Sequence, residues 1–158
     1  MKEKLLELLK NSYAPYSNFP VAAVVVTKDG REFSGVNVED ASTRAGTCAE
    51  RTAIFSAIAA GVKKGEFKEV NVMVSSGEIG TPCFVCRQMI LEVFDKDAIV
   101  RCWALDGRYR EFTVDELCPY PFDLDFPFLF VSTPCIQFLM YLHCDTSYLL
   151  IEACDYDT

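Results

Sequence analysis

The chain has 158 residues, 51% of them hydrophobic, and a formal net charge of −8 at pH 7. This length and hydrophobicity suit one folded domain with a sizeable core and exclude a disordered chain. The acidic balance argues against extensive contact with nucleic acid, because such contact relies on Lys and Arg side chains that neutralise phosphates. No apolar stretch reaches the roughly 20 residues that a membrane span needs.

Eight cysteines is a high count, and it points either to disulfides or to metal binding. Residues 1–10 are charged and amphipathic, and they lack the apolar run of a secretory signal. We therefore expect a cytoplasmic protein. In that reducing compartment, clustered cysteines indicate a metal site or catalysis instead of disulfides.

Hydrophobic periodicity predicts helices and strands that alternate along most of the chain. Leucines among charged residues predict an amphipathic helix over residues 2–12, and residues 63–69 are interpreted as an exposed charged loop. Strands are predicted over residues 21–27, 31–36, 70–75, 98–105 and 109–113, and further helices over residues 48–60, 82–94 and 114–117. This order predicts an α/β fold in three layers, α-β-α, around a mixed five-stranded sheet, because the first two strands form an antiparallel hairpin.

Capping residues indicate where the helices begin and end. Thr81 is predicted to cap the third helix, with Pro82 in its first position. The second helix is expected to have Thr47 or Thr43 as its cap. The remaining signals are a stop at Gly61 and a capping box of Thr113 and Glu116. The buried face of the second helix is predicted to hold Ala53, Ile54, Ala57 and Ile58.

Three thiols stand at the beginnings of the second and third predicted helices. Cys48 opens the first of these, and Cys83 and Cys86 lie three residues apart in the first turn of the other, so they share a face. Three thiolates suit Zn²⁺, and three protein ligands leave one position open, as in catalytic rather than structural zinc sites. A helix N-terminus and a bound metal both lower the pKa of a thiol, which favours ligation.

A carboxylate and a guanidinium follow the first thiol. Glu50 lies two residues after Cys48, where it can carry the proton of a water whose pKa zinc lowers to about 7. Arg51 comes next, and its charge would offset part of the negative charge of three thiolates. Three thiols with a neighbouring glutamate that is not a ligand match the signature of zinc-dependent deaminases.

Together with two further segments, these zinc-site residues make residues 13–122 resemble the small homotetrameric cytidine deaminases. Four segments carry the resemblance in the right order: residues 13–19 (YAPYSNF), 35–39 (GVNVE), 48–51 (CAER) and 82–88 (PCFVCRQ). The resemblance implies a hydrolase that deaminates cytidine or deoxycytidine to the uridine form with release of ammonia, in pyrimidine salvage. It also implies one zinc ion per subunit, held by the three cysteines, with Glu50 as the catalytic acid and base.

The same resemblance implies the substrate-binding residues, which are Phe19, Asn37, Val38, Glu39, Ala49 and Phe122. Phe19 would lie against the pyrimidine ring, and Asn37 with Glu39 would hold a ribose hydroxyl. Phe122 would close over the substrate from a neighbouring subunit. From the residues alone, the two polar side chains are better explained as a turn after a strand, and the two aromatic ones as core or interface contacts.

As partners, the resemblance implies a nucleoside substrate and a homotetramer whose active sites lie at subunit interfaces, in which Arg87 would take part. The acidic composition implies no nucleic-acid partner, and the hydropathy implies no membrane.

Three positions depart from the family pattern, namely Ala22 in place of Gly, Asp40 in place of Asn, and Phe84 in place of a small residue. The bulk of Phe84 beside the metal would narrow the pocket, which motivates an alternative substrate such as the aminated nucleoside blasticidin S. A further alternative is a structural zinc module in which Cys102 or Cys118 completes a four-thiolate shell. Such a module has no use for the neighbouring glutamate.

Residues 127–158 do not resemble the family. The predicted organisation is therefore a catalytic domain over residues 1–126 and a C-terminal extension of unknown role over residues 127–158. Cys135, His143 and Cys144 have irregular spacing, and we interpret them as side chains without a ligand role.

Overall fold

The computed structural model of the chain describes residues 1–42 and 45–122. The elements in chain order are α1 (Lys2–Leu9), β1 (Val21–Thr27), β2 (Glu32–Val36), α2 (Ala49–Ala59), β3 (Phe67–Val74), α3 (Phe84–Val93), β4 (Phe94–Trp103), β5 (Tyr109–Thr113) and α4 (Val114–Leu117). The five strands form one sheet in the order β2-β1-β3-β4-β5. β3 and β4 are parallel and the other neighbours are antiparallel, which confirms the predicted mixed sheet.

Strand β1 is covered on both faces. Ala22 and Val24 pack on one face with Leu5 of α1, whereas Ala23 and Val25 pack on the other face in a cluster with residues of α2, α3 and α4. Successive side chains of a strand point to opposite faces, so a strand buried on both sides is apolar throughout. The helices thus lie on both sides of the sheet, as the predicted three-layer architecture requires.

Gly35 of β2 brings the start of α2 against the sheet. A Cβ atom at this position would lie 2.4 Å from the carbonyl oxygen of Ala49 and 2.4 Å from the backbone nitrogen of Ala53. Both neighbours are backbone atoms, which cannot move aside as a flexible side chain could. The absent side chain therefore sets how closely the first turn of α2 approaches β2.

The C-terminus of α2 has the predicted glycine stop. Gly61 has a φ of +89°, and its N–H donates to the carbonyl oxygen of Ile58 at 2.9 Å. The N–H of Val62 donates to the carbonyl oxygen of Ala57 at 3.1 Å, which completes a Schellman motif. The capping box predicted at the start of α4 is confirmed as well, with hydrogen bonds of 2.7 and 3.1 Å.

Several predicted boundaries and one predicted core position are wrong; α1, for example, ends at Leu9 instead of residue 12. β3 begins at Phe67, inside the expected charged loop of residues 63–69, and β4 begins directly after α3 at Phe94. These two phenylalanines pair across β3 and β4 with ring centroids 4.8 Å apart, so a tertiary contact extends both strands. Ile58 is 42% exposed instead of buried.

Several predictions fall on positions that the structure does not describe. They concern Thr43 as a cap, the domain boundary after residue 126, and the roles of Cys135, His143 and Cys144. In the described part of the chain, no helix is long and apolar enough to cross a membrane.

Candidate active site

Two of the predicted zinc ligands are the N-cap residues of their helices. Cys48 caps α2 and Cys83 caps α3, both with extended backbone angles. Their carbonyl oxygens accept the first helical hydrogen bonds, from the N–H groups of Thr52 at 3.1 Å and Arg87 at 2.9 Å. An N-cap side chain usually accepts a hydrogen bond from a backbone N–H of the first helical turn, and neither thiol does so.

The predicted caps Thr81 and Thr47 are therefore wrong. Pro82 also precedes the helix, and its carbonyl oxygen accepts a hydrogen bond from Nε of Arg87 at 2.8 Å. The hydroxyl of Thr81 accepts from Nη2 of the same arginine at 2.9 Å. Thr47 instead forms a β-bridge to Val38. Thr81 and Pro82 are thus bound by a side chain of α3, and Thr47 by a neighbouring extended segment, so none of the three takes the position that the local sequence predicts.

The three cysteine sulfurs converge. The Sγ atoms of Cys48, Cys83 and Cys86 all lie within 4.8 Å of one another, and the first two are 3.9 Å apart. Tetrahedral zinc with Zn–S bonds of about 2.3 Å separates its sulfur ligands by about 3.8 Å. The donor set therefore fits Zn²⁺ in both chemistry and spacing.

The other described cysteines do not join this cluster. Cys102 lies in the hydrophobic core, where burial raises the pKa of its thiol to about 12. Cys118 donates a hydrogen bond through Sγ to the carbonyl oxygen of Arg87 at 3.6 Å. Within residues 1–42 and 45–122, no fourth thiolate completes the shell that a structural zinc module would need.

The thiols have strongly divergent acidities. The pKa of Cys48 is lowered to about 5, chiefly by a hydrogen bond with Cys86 and further by Arg51 and Cys83. The pKa of Cys86 is raised, first because it shares that hydrogen bond with Cys48 and second because it is buried. Nη2 of Arg51 lies 3.8 Å from Sγ of Cys48, where its positive charge favours the thiolate. The positive end of the α2 dipole favours it as well.

Glu50 is the second residue of α2 and lies beside the thiols. It is 4% exposed and is the one buried carboxylate among the described residues. Burial is the main cause of its raised pKa, and the negative charge of Cys48 acts in the same direction. Nε of Arg51 is also buried and has no hydrogen-bond partner within the described chain. A buried carboxyl and a cation with an unused N–H thus flank the sulfur cluster.

A cleft of about 430 Å³ opens beside Cys48, which is a size typical of small-molecule sites. Its lining consists of Tyr16, Ser17, Asn37, Val38, Glu39, Asp40, Gly46, Thr47 and Cys48. The structure therefore brings one predicted zinc ligand together with three of the predicted substrate-binding residues. Sequence reasoning did not select Tyr16, Ser17, Gly46 or Thr47, although the first two lie within the YAPYSNF segment.

Two β-bridges assemble this cleft from distant segments. Val38 pairs with Tyr13 on one side and with Thr47 on the other, and the Val38–Thr47 hydrogen bonds are 2.9 and 2.8 Å long. Since Glu39 and Cys48 each follow a bridging residue, the bridge brings them to the same cleft. A Cβ atom at Gly46 would lie 2.9 Å from the carbonyl oxygen of Val38, so this glycine permits the close approach.

Asn37 joins three segments through its amide. Oδ1 accepts hydrogen bonds from the N–H of Val21 at 2.8 Å and from the hydroxyl of Ser12. Nδ2 donates to the carbonyl oxygen of Phe19 at 3.0 Å. Much of the hydrogen-bonding capacity of this side chain is thus used within the chain, and one N–H of the amide is left for a ligand.

The other predicted substrate-binding residues do not line the cleft in this single chain. Phe19 is 42% exposed and contacts Asn37 through its carbonyl oxygen, whereas Ala49 is fully buried against Gly35. Phe122 is 66% exposed, and its carbonyl oxygen accepts a hydrogen bond from Nε2 of Gln88 at 2.9 Å.

Phe84 does not narrow the cleft. Its side chain is 82% exposed, and the guanidinium of Arg87 lies 5.1 Å from the centre of its ring. It lines grooves on the outer side of α3. The alternative substrate was suggested because a bulky Phe84 would narrow the pocket. The position of this side chain does not support that reason.

Comparison with known proteins agrees with this geometry. The family described as "Cytidine and deoxycytidylate deaminase zinc-binding region" matches residues 1–102. The cytidine deaminase of Sporosarcina psychrophila is 37% identical over 113 residues, which cover 72% of this chain and 82% of that protein. The cytidine deaminase of Halalkalibacterium halodurans is 35% identical over 120 residues, covering 76% and 89%. The crystal structure of cytidine deaminase from Burkholderia pseudomallei superimposes with a TM-score of 0.73 at 41% identity, covering 76% of this chain and 94% of that one.

A mixed sheet with two helix starts that converge on three thiols and a buried glutamate defines a zinc-dependent deaminase. Within that class, the chain belongs to the cytidine and deoxycytidylate deaminase family.

Proposed function

We propose that this chain catalyses the hydrolytic deamination of cytidine or deoxycytidine to uridine or deoxyuridine, with release of ammonia, as a step of pyrimidine salvage. One observation carries the proposal: three sulfurs within 4.8 Å of one another lie beside a buried glutamate, at the end of a cleft of nucleoside size. Relatives that bear the name cytidine deaminase support the choice of substrate.

Cys48, Cys83 and Cys86 would hold one zinc ion per subunit. When bound, zinc supplies a Lewis acid that lowers the pKa of a water to about 7. Arg51, with Nη2 3.8 Å from Sγ of Cys48, offsets part of the negative charge of the three thiolates.

Glu50 is the proton carrier of the reaction. Water adds to C4 of the base, and Glu50 takes a proton from it and passes this proton to N3. A second proton goes by the same carboxyl to the exocyclic nitrogen, which leaves as ammonia while C4 becomes a carbonyl carbon. The position of Glu50 in the first turn of α2 supports this role, because it places the carboxyl next to the three sulfurs that would hold the zinc and its water.

The nucleoside would lie in the cleft beside Cys48. Glu39 and Asn37 are proposed to hold a ribose hydroxyl, with Val38 between them in the cleft wall. Phe19 would lie against the ring, with Ala49 at the base of the site and Phe122 from a neighbouring subunit over it.

We further propose a homotetramer with the active sites at subunit interfaces. The outer faces of α2 and α3 carry exposed apolar side chains, including Phe55, Ile58, Phe84 and Val85, and contiguous patches of this kind mark interaction surfaces. Arg87 makes its described hydrogen bonds within its own chain, so its proposed part in the assembly would be to hold this surface in shape. Light scattering coupled to size-exclusion chromatography should give four times the chain mass.

We also infer a cytoplasmic location and a catalytic domain over residues 1–126, followed by the extension at 127–158. The location is supported by the clustered zinc-ligand thiols, since thiols stay reduced in that compartment. The domain limit is supported by the superposition that covers 94% of a cytidine deaminase with 76% of this chain.

The test is ultraviolet absorbance of cytidine incubated with the zinc-loaded protein, together with an ammonia assay. The unchanged protein should convert cytidine to uridine. The Glu50→Ala variant should keep one zinc per chain and lose turnover by about 10²–10⁴-fold, which is the usual contribution of a general acid and base. Undiminished turnover by a zinc-loaded Glu50→Ala variant would refute the assigned role.

A further inference from the structure

One loop holds the carboxylate of Glu39 through three donors. The N–H groups of Tyr16 and Ser17 donate to Oε2 at 2.9 and 3.1 Å, and the hydroxyl of Ser17 donates to Oε1. The hydroxyl oxygen of Ser17 in turn accepts from the N–H of Phe19 at 3.1 Å. Since that contact occupies an acceptor position of the oxygen, it directs the hydroxyl proton toward Glu39.

This arrangement leaves the carboxylate partly unused. A carboxylate offers about four lone-pair positions, and three are taken by the loop, two on Oε2 and one on Oε1. The remaining position is on Oε1, the oxygen that Ser17 holds. Glu39 and Ser17 both line the cleft that contains Cys48, so a ligand hydroxyl that enters this cleft can reach the carboxylate.

An unrestrained glutamate would bind such a hydroxyl less well. Its side chain would lose rotamer freedom on binding, and this loss opposes affinity. A carboxylate already held in one orientation avoids that loss when the ligand arrives. Ser17 is the one side-chain donor among the three described contacts, and therefore the one that a substitution can remove without changing the backbone.

We propose that Ser17 is a positioning residue that orients Glu39 to accept one hydroxyl of the nucleoside sugar. This inference rests on the proposed function, because it assigns a task within the same cleft. It predicts that the contribution of Ser17 appears in the affinity for the sugar and not in the chemical step.

The experiment compares Ser17→Ala with the unchanged zinc-loaded enzyme on cytidine and on its 2′-, 3′- and 5′-deoxy analogues. For cytidine, KM should rise by up to roughly 10-fold with kcat within about 2-fold, since the freed carboxylate must be ordered when the nucleoside binds and this cost falls equally on the ground and transition states. One of the analogues lacks the hydroxyl that donates a hydrogen bond to Glu39. For this analogue, Ser17→Ala should change KM by less than about 2-fold. The Ser17→Thr variant should restore the KM of the unchanged enzyme.

Ser42→Ala is the matched control. The hydroxyl of Ser42 donates to Oδ1 of Asp40, the neighbouring carboxylate of the same cleft, so the same kind of bond is removed. The control should leave the KM for cytidine within about 2-fold of the unchanged enzyme. Zinc content and the thermal unfolding midpoint establish that each variant is folded. If Ser17→Ala does not fold, Ser17→Cys, which keeps the shape with a much weaker donor, should show the same analogue-dependent rise.

The outcomes separate this inference from the proposed function. Failure of the unchanged, zinc-loaded protein to deaminate cytidine would remove the proposed function itself. Normal turnover by the unchanged protein, with a KM rise in the Ser17 variant that is absent or equal for all four substrates, would overturn only the positioning role.

Discussion

In the thiol half of the site, formed by Cys48, Glu50, Cys83 and Cys86, each side chain stands on the first turn of a helix. In the nucleoside half, formed by Asn37, Val38 and Glu39 with the loop at residues 13–19, each side chain stands on irregular backbone held by hydrogen bonds between distant segments. The thiol half is attached to the hydrophobic core, whereas the nucleoside half is largely exposed. The difference indicates that the chemistry is fixed by core packing and that substrate preference can change with the loops.

The largest expected effect comes from removing a ligand in the thiol half. Cys86→Ala should reduce bound zinc from one per chain to near zero and abolish deamination, because two thiolates hold zinc much more weakly than three. Zinc is measured by atomic spectrometry after dialysis. Cys118→Ala, which removes a thiol outside the cluster, should keep the metal. Full zinc occupancy in the Cys86 variant would show that the sulfur cluster is not the metal site.

Gly35→Ala tests whether core packing places the thiol half. The added methyl would collide with backbone atoms of Ala49 and Ala53, so we expect a loss of stability of roughly 2–3 kcal/mol and weaker zinc binding as α2 moves away. Thermal unfolding with and without zinc measures both. The control is Gly30→Ala, a position with no atom within 4 Å, which should lose stability through its φ of +88° but keep its zinc affinity.

Arg87→Ala tests whether the hydrogen bonds of Arg87 hold the turn that precedes Cys83. Arg87 binds Pro82, Thr81 and Leu117, and without it the turn before the ligand is less well held. Supporting contacts of this kind change metal affinity by about 10–100-fold, so zinc affinity should fall by about 10-fold or more. A chelator competition titration measures it, with the exposed Arg110→Ala as the control. An unchanged affinity would show that the helix cap alone positions the thiol.

Ser12→Ala sharpens the comparison from the nucleoside side. Its hydroxyl donates to Oδ1 of Asn37, and the amide keeps its two other described bonds. We expect a few-fold rise in KM for cytidine, because the amide that is proposed to bind the sugar would be less firmly oriented before the ligand arrives, with no change in bound zinc. Loss of zinc in this variant would mean that the two halves are not independent.

The smallest effect on zinc binding and turnover is expected for Cys102, the core thiol that stays outside the site. Its pKa is raised to about 12 by burial, so in the folded protein it holds its proton up to a higher pH than in the unfolded chain. The unfolded thiol loses its proton first, so stability should decline as pH rises from about 9 toward 12. Cys102→Ala should show a shallower decline in urea unfolding across this range. At pH 8, iodoacetamide should label Cys102 only after denaturation, as peptide mass spectrometry can establish.

Much of the architecture could be predicted because it depends on local patterns. β1 and β5 begin and end where they are predicted, β1 because its residues form a continuous apolar run, and the glycine stop after α2 and the capping box of α4 both have local sequence signals. The start of β3 at Phe67 could not be predicted this way, since its charged neighbours resemble a loop and only the contact with Phe94 extends the strand. Ile58 matches a buried helical face by spacing, yet no described element covers it.

The sequence by itself determined the donor set of this protein, because three thiols and a glutamate at two helix starts have few chemical uses other than a catalytic zinc. It also determined the class of fold, since helical and strand periodicities are local properties. Only the tertiary structure decided which residues cap the helices, that the side chain of Phe84 is exposed instead of lying in the cleft, and that Ser17 holds Glu39. These depend on atoms that are distant in the chain and near in space, and no local pattern encodes such distances.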